Sequence, residues 1–138
     1  MFDESQLPDH PGLAILGRVL FASLFVVSGV THFTNVPYYL SLMPGWTPSP
    51  VALTLVSGVV ELIGAGLILA NRHARLGGWL LVLFMVPVTL LVHGHALLTE
   101  TDPVLWAHQQ AHFFKGVALT GAALLITQVG VSRTTVAR

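Results

Sequence analysis

The 138-residue chain is 54% apolar and 9% charged, its six basic and six acidic residues cancel, and it has no cysteine. A soluble domain carries about 25% charged residues to solvate its surface, so this composition, with a mean hydropathy of +0.77, excludes an ordinary soluble fold and a disordered chain. Nucleic-acid binding is excluded because no basic stripe exists to neutralise phosphates; disulfide, thiol and thiolate–metal chemistry are excluded by the missing cysteine. An integral membrane protein remains.

A helix that crosses the hydrocarbon needs about 20 largely apolar residues. Four stretches qualify: residues 13–33, 51–70, 76–97 and 107–127. Runs such as LILA, WLLVLF and VPVTLLV lack the period-2 alternation of a transmembrane barrel. The pattern specifies an all-α membrane protein, an antiparallel four-transmembrane-helix bundle forming one membrane domain over residues 1–138.

In chain order, the first ten residues are acidic (Asp3, Glu4, Asp9) and lack a basic n-region, and no A-x-A site follows the first apolar run, so a cleaved signal peptide is not expected. In the first span Ser28 and His32 share a face. The loop TNVPYYLSLMPGWTPSP is rich in Pro, which resists a regular helix, and its Tyr38, Tyr39 and Trp46 suit the headgroup interface. The second span carries Glu61 near its middle. An ionised group there costs at least about 2.5–3.5 kcal/mol, so it is expected to face the bundle interior and find a partner. Its face at steps of three and four reads Thr54, Ser57, Gly58, Glu61, Gly64, Ala65, small and polar enough for close helix approach. In the third span Pro87 is expected to loosen the helix and free a carbonyl. Thr89 and His93 share a face beyond it, and His95, two residues on, points elsewhere.

The fourth span places His108, His112 and Lys115 on one face by i, i+4 and i+3 spacing. Lys115 lies about eight residues in, roughly 12 Å deep, and is the expected partner of Glu61. Gly116, Thr120 and Gly121 follow it and suggest close helix contacts. Five of the seven histidines (His32, His93, His95, His108, His112) fall in the outer half of the spans or at their outer ends. Inward rotation of these faces would build a polar chamber floored by Glu61. Five of the six basic residues (Arg18, Arg72, Arg75, Arg133, Arg138) lie on the side of the termini and the middle loop, while loops 34–50 and 98–106 have none. The positive-inside rule then predicts a multi-pass protein of the cytoplasmic membrane with both termini in the cytoplasm.

These residues suit several chemistries. Neutral His and a carboxylate can exchange protons with the carbonyl or hydroxyl of a quinone-like ligand. The H-x3-H pair has a metal-ligand spacing, and two histidines on facing helices can hold a haem. Histidines also simply hydrogen-bond at helix interfaces. The quinone-like ligand is preferred, with Glu61, His93 and Lys115 as catalytic candidates, His32, His108, His112, Thr89 and Ser57 as ligand-binding candidates, and no metal site assigned. The alternatives are an accessory or assembly protein whose polar cluster serves packing and partner recognition, and a small transporter.

The segments GRVLFASLFVVSGVTHF, SGVVELIGAGLILA, RLGGWLLVLFMVPVTLLVHGHAL and HFFKGVALTGAALLI resemble the DoxX family of small four-span membrane proteins over residues 13–128. Glu61, His93 and Lys115 carry the resemblance, with Arg18 and His32 as weaker matches. The chain departs from the family at Gly116, where an Asn often follows the Lys. The family is named for a subunit of a membrane thiosulfate:quinone oxidoreductase, and some relatives are linked to redox homeostasis through partner proteins. The resemblance therefore implies an oxidoreductase subunit acting in the lipid bilayer, as a homo-oligomer or with membrane or peripheral redox partner proteins. Without cysteine, any persulfide or disulfide intermediate would belong to the partner or to a bound cofactor.

Overall fold

The computed structural model describes residues 10–129, so the acidic Asp3, Glu4 and Asp9 and the basic Arg133 and Arg138 lie outside the described residues. All regular structure among the described residues is helical: α1 (Pro11–Thr34), α2 (Val36–Leu42), α3 (Pro50–Leu69), α4 (Ala74–Thr99) and α5 (Pro103–Val129). Four of these, all but α2, are long and apolar enough to cross a membrane.

Three of the four spans begin on proline, at Pro11, Pro50 and Pro103. The first turn of a helix has no use for that N–H, and the fixed φ suits it. Asp102 caps α5, its Oδ1 accepting from the N–H groups of Val104 and Leu105 at 2.9 Å each. The fourth span thus starts four residues earlier than hydropathy indicates, because an acidic cap and a proline define its end better than apolarity does. At the other end of α5, Arg75 Nε donates to the Thr127 carbonyl at 2.6 Å. A cation at a helix C-terminus also complements the helix dipole.

The helices pack in chain order, α1 on α3, α3 on α4 and α4 on α5. Their registers run opposite: Gly29 meets Leu62 while His32 meets Gly58, and Gly64 meets Leu81 while Gly77 meets Ile68. Each seam closes on a residue without a side chain. In lipid there is no apolar area to gain by association, so close packing must hold helices together. A Cβ on Gly77 would sit 2.7 Å from the Gly64 carbonyl oxygen. Ala22, Phe25, Ala65, Ile68, Leu81, Met85 and Ala123 form the buried core, all in the half of the bundle nearer the 70–73 turn. The other half is not filled in this way, and the α1–α5 side is not a packed seam among the described residues.

One feature departs from the sequence expectation and one bears it out. The proline-rich loop includes a two-turn helix, α2, because Pro37 falls in its first turn, where proline is tolerated. In α4 the α-helical turns end at Pro87 and are followed by π-helical turns over Val88–Gly94, then α-helical turns over His95–Thr99. Pro87 lacks an N–H, so the regular ladder is interrupted there and the helix widens.

Candidate functional site

At the loop end of the bundle, opposite the 70–73 turn, a cavity of about 510 Å³ is lined by α1, α2, α3, α4 and α5. Ser57, Glu61, His93, His108, His112, Lys115 and His32 all line it. Thr89 does not. It is 3% exposed and packs on Gly116, its hydroxyl without a hydrogen-bond partner. The bare Gly116 leaves a notch on α5 that takes Thr89, so it serves the α4–α5 contact and not the chamber.

Glu61 is 1% exposed and receives its hydrogen bonds from α1. Its Oε2 lies 3.0 Å from His32 Nδ1 and accepts from Ser28 Oγ at 3.1 Å. His32 Nδ1 is also 2.8 Å from the Ser28 carbonyl. A carbonyl only accepts, so Nδ1 carries the proton and His32 Nε2 is the nitrogen left for other work. Tyr39 closes this side. Its ring stacks on His32 at 3.7 Å, and its hydroxyl lies 2.6 Å from Thr31 Oγ1 and donates to the Ser28 carbonyl at 3.3 Å. Helix α2 folds Tyr39 back over α1, while Tyr38 and Trp46 stay exposed.

Lys115 is not the partner of Glu61. Its Nζ donates to His112 Nδ1 at 3.1 Å, one turn back on its own helix. The cause is helix order: α5 packs on α4 and sits diagonal to α3, whereas α1 touches α3 closely enough at Gly29 and Gly58 to supply Ser28 and His32. His112 stacks on His93 at 5.2 Å with nearly parallel rings, and His93 Nδ1 lies 2.8 Å from Gln109 Oε1. Gln109 is absent from the sequence expectation, which followed the titratable His108, His112 and Lys115 along the helix. With α5 starting at Pro103 it lies in the second turn, facing α4. His95 turns away and meets Trp46 edge-on at 6.3 Å.

The chamber therefore has two unlike walls. One, from α1 and α3, holds a hydrogen-bonded carboxylate–imidazole pair. The other, from α4 and α5, holds Lys115, three histidines and Gln109, with no carboxylate in salt-bridge contact among the described residues. His93 and His112 present ring faces to each other, so no iron fits between their nitrogens as a haem would need. No group of three or more His, Asp or Glu side chains gathers in a metal-binding arrangement among the described residues. The arrangement suits a ligand of intermediate size with polar groups that exchange protons or accept hydrogen bonds.

Four apolar spans around a polar, ligand-sized chamber define a small multi-pass membrane protein. Residues 21–115 match the family described as a domain of unknown function, DUF8561, and the chain belongs to that family. No curated protein and no solved structure matches it.

Proposed function

We propose that the protein is the membrane subunit of a redox system and binds a quinone-like ligand in this chamber. The observation that carries the proposal is the His32–Glu61 pair, buried in a span yet lining a cavity of about 510 Å³. A buried ionisable pair is costly in lipid and is most readily explained by use. His32 Nε2 and the Glu61 carboxylate can take up or release a proton at a ligand carbonyl or hydroxyl. His93 can do so from the opposite wall, and Lys115, with one donor on His112, keeps two more for a polar ligand group. Electrons would come from a partner protein.

The test is purification in mild detergent, mass spectrometry of extracted lipids, and titration with a water-soluble benzoquinone. A co-purifying quinone with saturable rebinding is expected. An empty preparation with no saturable binding would favour the accessory role instead. That role has its own support, since Ser28 and His32 also tie α1 to α3 through Glu61.

Both termini are proposed to lie in the cytoplasm. Arg18, Arg72 and Arg75 occupy the end of the bundle shared by the start of α1 and the 70–73 turn, and the opposite loops carry no basic residue. Because the chain has no cysteine, Thr101→Cys and His73→Cys give clean probes. A membrane-impermeant maleimide is expected to label Thr101→Cys in intact cells and His73→Cys only after permeabilisation. The reverse pattern would invert the topology.

A further inference from the structure

A second cavity, of about 490 Å³, lies at the same end of the bundle, between α3 and α4 under the 43–48 segment. Leu53, Val56 and Val60 wall it from α3, and Leu83, Pro87 and Leu91 from α4. Its only hydroxyl side chains, Ser57 and Thr47, are already committed, donating to the carbonyls of Thr54 and Pro44. The groove is therefore apolar in effect. It faces outward: Val56 is 59% and Leu83 67% exposed, which in a bilayer means contact with hydrocarbon.

Groove and chamber are not independent. Met43, Ser57, Phe84, Val88 and Val92 line both, so a single layer of side chains separates an apolar slot open to lipid from the polar site. The separation of α3 and α4 has a local cause. The helices are drawn together near the turn by Gly64 and Gly77, and α4 leaves regular α-geometry just after Pro87. Ser57 is the smallest of the five shared side chains and marks the narrowest barrier.

We infer that the groove is the tail site of the chamber's ligand. The ligand class is then a long-chain lipophile, a carbonyl- or hydroxyl-bearing head on a hydrocarbon chain, reaching the chamber sideways from the bilayer between α3 and α4. This rests on the chamber binding a quinone-like head. What singles out this occupant from ordinary lipid is the shared wall: a chain in the groove, passing Ser57, joins a head beside Glu61.

The test uses the full chain in phosphatidylcholine nanodiscs. The photoprobe is a benzoquinone with a decyl chain ending in a diazirine, with unlabelled decyl-benzoquinone as competitor and the chain-free benzoquinone as head-only ligand. Competable crosslinks are expected at Leu53, Val56 and Leu91. Val56→Trp and Leu91→Trp, at exposed positions outside the chamber, are expected to cut this labelling about tenfold, the equivalent of roughly two buried methylenes, while head-only binding is unchanged. Competable crosslinks on Leu24 and Leu105 instead, insensitive to either tryptophan, would overturn the groove and leave the head site standing. Groove labelling that excess ligand does not displace would reduce the groove to ordinary lipid contact. No competable label together with no head-only binding would overturn the chamber's function and the groove with it.

Discussion

Glu61→Gln is expected to insert and fold while binding a benzoquinone head about 10- to 100-fold more weakly. Hydrogen bonds to a charged group contribute about 1.5–3 kcal/mol, and the amide cannot supply or remove a proton as the carboxyl does. Gln keeps the shape and an acceptor oxygen for Ser28 and His32, which lie 3.1 and 3.0 Å from Oε2, so stability should change little. Glu61→Leu differs. It leaves His32 and Ser28 without their shared acceptor, and a buried polar group left unsatisfied costs about 1–3 kcal/mol. Thermal unfolding in detergent measures one effect and ligand titration the other. If Glu61→Gln lowers stability like Glu61→Leu and leaves ligand affinity intact, the carboxylate serves packing alone.

Gly58→Ala is the second large effect. A Cβ there would stand 2.7 Å from His32 Cβ, 2.9 Å from the Phe33 ring and 3.0 Å from the Gly29 carbonyl oxygen. The first and last belong to the α1 backbone or sit next to it, so the helices must part. Overpacking of this kind costs about 1–3 kcal/mol, and here it also moves His32 away from Glu61. Both the unfolding temperature and ligand affinity are expected to fall. Gly66→Ala is the control, since nothing lies within 4 Å of its Cβ and helix propensity alone acts there, leaving stability unchanged or raised by up to about 1 kcal/mol. Since Ala is intrinsically the better helix former by about 1 kcal/mol, a Gly58→Ala variant as stable as Gly66→Ala would mean that the α1–α3 contact does not set the result.

Much of the scaffold was legible one residue at a time. Hydropathy located four spans to within a few residues, and steps of three and four along α3 picked out Thr54, Ser57, Gly58, Glu61, Gly64 and Ala65, all buried but the half-buried Ser57. These are properties of a single helix, and helical period carries them. Pro87 likewise announced a disturbance of α4, though its form, a run of π-turns, is set by how the helix recovers its hydrogen bonds.

The scarcity of charge and its placement by sequence thus determined a four-span bundle with Glu61 and Lys115 as the two ionisable groups deepest in its spans. Which groups they meet was decided only by tertiary structure. Glu61 binds Ser28 and His32 because glycines bring α1 against α3, and Lys115 turns to His112 because α5 is diagonal to α3. Tyr39 and Gln109 join the chamber, and Thr89 leaves it, for the same reason. A helix's apolar stripe tells which face is inward, but its neighbour on that face depends on the order in which helices pack, and that order rests on small side chains spread over the whole chain.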